Sequence, residues 1–246
     1  MNMTTIEAYK RGDCIGRSFE GGAPFQPLNE ERLQLALKNR QGTDESSIVD
    51  CFLAYVGKHP WSGDMDAWLW GWLVYHQQNH GRGYGRTYRD HFYLIRFLNT
   101  RKPDQTIAQK MAKVREIAAD ADSFGNASLS LVYPLYQYAK ANIPAYPARD
   151  VVLEVTRCSH CHENAIKAVN LLMDIIDGSQ IEPPTEQFIR DHCFAEHATA
   201  YNTLLTALFI SDVETEMEAI RRGVWVCGDT DSTLSTAMML WHLNRR

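Results

Sequence analysis

No stretch of this sequence is apolar for long enough to cross a bilayer. The densest run, WLWGWLV at 68–74, falls far short of the roughly 20 residues a spanning helix needs. The N-terminal MNMTTIEAYKRGDCIG has no apolar block of the kind that forms a secretory leader. Both absences lead to the expectation of a cytoplasmic protein with no membrane partner. A basic excess is missing too: 25 Lys and Arg against 30 Asp and Glu give a net charge of −5, which offers no footprint for nucleic acid. The six cysteines (14, 51, 158, 161, 193 and 227) are even in number, but in a reducing compartment structural disulfides are not expected. Alternating strand patterns are nearly absent, with VWVC at 224–227 the single short candidate. Repeats, low-complexity tracts and linkers are also lacking, so residues 1–246 read as one domain.

Helical periodicity fills the space these absences leave. NEERLQLALKN (29–39) sets Leu33, Ala36 and Leu37 on one stripe, and SSIVDCFLAYV (46–56) repeats Ile48, Cys51, Phe52 and Tyr55. ENAIKAVNLLMDIID (163–177) spaces Ile166, Val169, Leu172, Met173 and Ile176 near 3.6 residues, and DSTLSTAMMLWHL (231–243) carries the pattern to the C-terminus. Pro and Gly clusters at 21–27, 57–63, 81–85, 144–147 and 178–184 mark loops. The expected architecture is all-α, a single compact domain of about ten helices. Trp68, Trp72 and Tyr75 fit one helix face and are expected in the core.

Acidic residues gather where loops meet helices. GDCIGRSFEGG carries Asp13 and Glu20 in what reads as a glycine-rich loop. Thr43, Asp44 and Glu45 precede one apolar helix, and Asp229, Asp231 and Ser232 precede the last. Such residues cap helix starts and suit the helix dipole. A cap, however, needs one oxygen-bearing side chain, and each cluster supplies three. Crowded carboxylates repel unless a cation neutralises them, and hard oxygen donors suit Mg²⁺, Mn²⁺ or Ca²⁺ rather than zinc. Capping and ligation are compatible, because a cap fixes the loop that presents the ligands.

Cys158, Cys161 and His162 in CSHCHENA fit both the C-x-x-C-H of haem attachment and half of a zinc site. Haem attachment follows export, which the chain's expected compartment disfavours. A zinc site would recruit His192, Cys193 and His197 from DHCFAEH, yet that segment reads as a packed helix. The loop HGRGYGR (80–86) is basic and aromatic, and could meet phosphates.

Taken in order, these motifs resemble the ADP-ribosylglycohydrolase family, which includes the dinitrogenase-reductase-activating glycohydrolases. GDCIGRSFE matches the opening G-D-x-x-G with its following acid, TDES (43–46) the T-D-D-T motif, and FGNASLSLVYP (124–134) the G-N-G-S loop. CSHCHENA falls in the T-H-x-H slot, where Ser159, His160, His162 and Ala165 align and the cysteines are incidental; CGDTDST (227–233) matches G-G-D-T-D-T.

The resemblance implies a compact all-α fold and a binuclear site for two Mg²⁺ or Mn²⁺ held by Thr43, Asp44, Glu45, Asp229, Asp231 and Ser232, with Asp231 bridging the ions. It implies an ADP-ribosylated protein as substrate, bound by Asp13, Gly125, Asn126, Ser128 and His160. Glu20 would be the catalytic acid/base, with Asp44 as the metal-bound alternative. Three residues depart from the pattern: Glu45 replaces an Asp, Ala127 adds a Cβ to the G-N-G turn, and Leu131 stands where Arg is common. The chain is also shorter than typical members. These departures leave open a second expectation, a catalytically inactive relative that binds ADP-ribose or a related nucleotide.

Overall fold

The computed structural model describes residues 3–80, 86–193, 198–226 and 228–245. The described residues are all-α, with thirteen α-helical segments and no strand. They are α1 (Met3–Gly16), α2 (Glu30–Ala36), α3 (Asp44–Lys58), α4 (Met65–Asn79), α5 (Arg86–Arg101), α6 (Ile107–Ala121), α7 (Val132–Asn142), α8 (Ala148–Arg157), α9 (Glu163–Ile176), α10 (Glu186–Phe188), α11 (Ala200–Ser211), α12 (Glu216–Val226) and α13 (Thr230–Leu243). A 3₁₀ turn covers Asn126–Leu129 and a π turn Ile189–Cys193. The chain falls into two compact units, a middle unit of residues 47–173 and a terminal unit of residues 2–46 with 174–246. No described helix is long and apolar enough to cross a membrane.

In the terminal unit, α13 packs against α1, α11 and α12. Every residue of α13 from Thr230 to Leu240 is buried, although six of these are Thr, Ser or Asp. Its hydroxyls survive burial partly by bonding within the helix: Ser235 Oγ and Thr236 Oγ1 each donate to the Ser232 carbonyl at 2.9 Å. The α1–α13 approach depends on Gly12 and Gly16. A Cβ at Gly12 would stand 2.5 Å from the Leu234 carbonyl oxygen, and one at Gly16 2.4 Å from that of Thr230. GDCIG, expected as a loop, is therefore the last turn of a helix, and its glycines serve backbone contact.

The middle unit is built on aromatic packing, with α4 against α5 and α6, and α7 against α8. Trp68 stacks on Tyr138 at 5.8 Å and 7°, while Phe52 meets Trp72 edge-on at 5.5 Å. The Tyr55 hydroxyl donates to the Trp68 carbonyl at 2.8 Å, so its polar tip is satisfied inside the core. Trp68 and Trp72 are buried as their spacing implies, and Tyr75 is half-buried beside Tyr55. Burying an apolar side chain of this size stabilises by about 1.5–3 kcal/mol. Four sequence-read helices appear as α2, α3, α9 and α13. The strand candidate VWVC does not form: Val224, Trp225 and Val226 are the last turn of α12, where a buried helical stripe runs through Ala219, Ile220, Gly223, Val224 and Val226. Cys227, the loop 81–85 and His197 lie outside the described residues.

Candidate functional site

Asp13 is the first piece of the site. It is completely buried on α1, held beside α13 by the flanking glycines. Its carboxylate accepts from the backbone N–H of Thr43 at 2.9 Å, the N–H of Ser46 at 3.0 Å and the Thr43 hydroxyl at 2.8 Å. Free N–H groups at the start of α3 are thus capped by an acid from α1, where negative charge also suits the helix dipole. Gly42 makes room for this, since a Cβ there would lie 2.4 Å from Asp13 Oδ2.

Glu45 ties the start of α3 to the start of α13. Its Oε1 accepts from Ser232 Oγ, and its Oε2 lies against Thr43 Oγ1, whose one proton it shares with Asp13, both at 2.6 Å. Asp231 Oδ1 accepts from the Ser232 N–H at 2.9 Å. Asp229 stands at the N-cap position of α13 but makes no side-chain capping hydrogen bond. Capping alone does not account for the acids here.

Two carboxylate trios result, each with oxygens within 4.8 Å of one another. Asp13, Glu45 and Asp231 form a fully buried one; Glu20, Asp229 and Asp231 run from an exposed rim to the buried centre, and Asp231 belongs to both. The like charges leave an electrostatic mark. Burial, then the charges of Asp44 and Asp231, push the Glu45 carboxyl well above its ordinary range. Burial first, then Asp231, raises Asp44, while the charge of Asp231 is the largest cause of a raised Glu20.

Glu20 reaches this centre through a strap. After α1, the Gly21 N–H donates to the Gly228 carbonyl at 3.2 Å, and the Phe25 N–H donates to the Trp225 carbonyl at 2.7 Å. Gly21 (φ +69°) and Gly228 (φ +88°) occupy the left-handed region that favours glycine.

A divalent ion fits these residues. The donor set is carboxylate and hydroxyl oxygen throughout, which suits Mg²⁺ or Mn²⁺. The buried Ser46 hydroxyl, in the same segment, has no hydrogen-bond partner. Uncompensated repulsion among Glu20, Asp44, Glu45 and Asp231 is what a cation relieves. Among the described residues no histidine or cysteine joins a metal-competent group.

The structure therefore gathers Asp13, Glu20, Thr43, Asp44, Glu45, Asp229, Asp231 and Ser232 in the terminal unit. Gly125, Asn126, Ser128 and His160 belong to the middle unit. There Gly125 and Asn126 are half-buried, while Ser128 and His160 are buried and line a cavity of about 20 Å³, the size of a water. Burial lowers the His160 imidazole to about 4, and its Nδ1 lies 2.8 Å from Ser159 Oγ. Ala127 sits in the 3₁₀ turn, and Phe25 and Asp122 are the described non-glycine residues with positive φ, so its Cβ imposes no left-handed strain. Leu131 is buried and lines the same cavity as His160. Cys158 is buried with its thiol pushed up to about 12 by burial, and its Sγ contacts the Glu154 carbonyl at 3.3 Å. Cys161 bonds the Arg157 carbonyl in the same way.

Sequence reasoning missed the anchoring of α3 by Asp13 and the helical setting of Gly12 and Gly16. The signal was present: glycines four apart, continuing the register of the buried Ile6 and Tyr9, mark a helix face that another backbone approaches.

No protein-family model matches the chain, and no curated protein matches it in sequence. Among solved structures, one described as an ADP-ribosylglycohydrolase-related protein complex is similar in fold. It aligns with a TM-score of 0.64 at 18% identity, over 97% of this chain and 85% of that one. The likeness establishes a shared all-α fold.

Proposed function

We propose that this protein is a metal-dependent hydrolase that removes ADP-ribose from a modified protein side chain by cleaving an N- or O-glycosidic bond. The observation that carries the reading is Asp231, shared by a buried and a rim carboxylate trio. Asp231 with Asp13 and Glu45 on one side, and with Asp229 on the other, would hold two divalent ions, supported by Thr43, Asp44 and Ser232. Bound there, such ions would orient ribose hydroxyls and a water and offset negative charge.

The chain's own groups supply the rest. Glu20 is the exposed member of the rim trio, so it can face a substrate while Asp231 lies behind it. As an acid it protonates the departing side-chain atom while the bond at the anomeric carbon breaks through an oxocarbenium-like state. As a carboxylate it then takes the proton of the attacking water. Asp44 is the alternative for that proton. In the middle unit Gly125 and Asn126 are half-buried, while Ser128 and His160 line a cavity that admits a water. Those two would act by holding the loop.

A hydrolysis panel tests the reading. Arginine-, serine- and nucleic-acid-linked ADP-ribose are incubated with the protein plus Mg²⁺ or Mn²⁺, with chelator and with Asp231→Asn. Release that needs metal and Asp231 is expected on a protein-type linkage. Tight ADP-ribose binding without release from any linkage would replace the hydrolase with a nucleotide-binding protein.

A further inference from the structure

The strap that carries Glu20 is held by a cation–aromatic clamp that no short motif records. Phe25 has φ +54°, a conformation that costs a non-glycine residue about 1–2 kcal/mol unless its surroundings impose it. Its surroundings do so on two sides. The Phe25 ring meets Trp225 of α12 edge-on at 5.0 Å and 77°. The Arg190 guanidinium lies 3.7 Å from the Phe25 ring centroid and 5.2 Å from that of Trp225. Arg190 is itself oriented by Glu186, whose Oε1 accepts from its Nε at 2.8 Å. It projects from the Ile189–Cys193 π turn, an irregularity that re-aims side chains within a helical run. The other end of the strap is fastened alike: Arg32 stands over Phe19 at 4.7 Å and donates its Nε to the Ser18 carbonyl at 2.9 Å. Glu20 lies between the two fastenings, one residue beyond Phe19 and five before Phe25.

We infer that Arg190, acting through Phe25 and Trp225, is a positioning residue that fixes Glu20 against the Asp229–Asp231 rim. The inference rests on the acid/base role proposed for Glu20; Arg190, Phe25 and Trp225 belong to neither acidic trio. A cation over two aromatic rings holds the strap by its ring contacts, so a lysine retains part of the effect and an alanine none. Misplacing a reacting group by about 1 Å costs on the order of a hundredfold in rate.

The test compares Arg190→Ala, Arg190→Lys and the unaltered chain in metal-dependent ADP-ribose release and in amide hydrogen exchange. In Arg190→Ala we expect kcat to fall about ten- to a hundredfold with KM within about twofold, faster exchange at Gly21 and Phe25, and unchanged exchange in α13. Arg190→Lys should recover part of the rate. Unchanged kcat and unchanged strap exchange in Arg190→Ala would overturn the clamp. So would general loss of α13 protection with kcat and KM changing together, since that marks a merely structural residue. If the unaltered chain releases no ADP-ribose, the hydrolase reading fails by itself. The clamp then stands or falls on whether strap exchange alone responds to Arg190→Ala.

Discussion

The terminal and middle units bury polar chemistry in opposite ways. In the terminal unit, carboxylates of like sign share a small volume, and their mutual charge helps push Glu20, Asp44 and Glu45 above their ordinary range. In the middle unit the buried titratable groups include three imidazoles, His76, His91 and His160. His76 stacks on Trp72 at 4.8 Å and meets Phe92 edge-on at 5.0 Å, and burial lowers it to about 3. His91 and His160 are lowered to about 4, again by burial. Burial favours the neutral imidazole, which needs no counter-charge. A cluster of carboxylates is a site that favours a cation. The difference lies in charge more than in residue type, since the buried imidazoles are neutral where the buried carboxylates crowd one another.

The largest effect should follow removal of the shared acid. Asp231→Asn is expected to cut metal-dependent release on the order of a thousandfold, because both trios lose the same member. Its circular dichroism should stay helical, and comparison with the unaltered chain at saturating Mn²⁺ checks the rate.

Acid should next break the middle unit. The folded His160 value of about 4 lies below the ordinary 6.5, so the unfolded chain binds the proton more readily. Stability is thus intact above about pH 6.5 and is lost as pH falls through the folded value, by about 3 kcal/mol at pH 4 from this residue. Urea midpoints at pH 7.5 and 4 should drop further in the unaltered chain than in His160→Gln. Equal drops would contradict the assignment.

Gly16→Ala should follow, at about 1–3 kcal/mol of destabilisation, because the added methyl meets the Thr230 carbonyl and the Asp231 backbone rather than a side chain that can turn away. Thermal melts measure the loss. A rise in the Mn²⁺ concentration needed for activity would sharpen the link between that contact and Asp231. The smallest effect belongs to the paired cysteines. Cys158→Ser with Cys161→Ser should leave release within about twofold, consistent with thiols that bond helix carbonyls. A collapse would mean that CSHCH does more than pack.

The helices were legible because α2, α3 and α9 bury residues at a helical period, while α13 keeps that period but is buried on every side from Thr230 to Leu240. The acids at the helix starts were legible because three oxygen donors in a row exceed what one cap uses. The depth of Asp13 was not, because it lies on the face of α1, between Gly12 and Gly16, that packs on α13, a contact between residues more than 200 positions apart. The last turn of α12 was misread for a related reason: V-W-V has the β-branched composition of a strand, but packing decides its conformation. Ala127 looked awkward in sequence and is ordinary in structure, since the 3₁₀ turn keeps its φ negative.

If Asp231 joins the two carboxylate trios into one cation site, calorimetric titration with Mn²⁺ at pH 7.5 should show uptake of two ions by the unaltered chain and loss of both in Asp231→Asn. No uptake by the unaltered chain, or equal uptake by the variant, would contradict it.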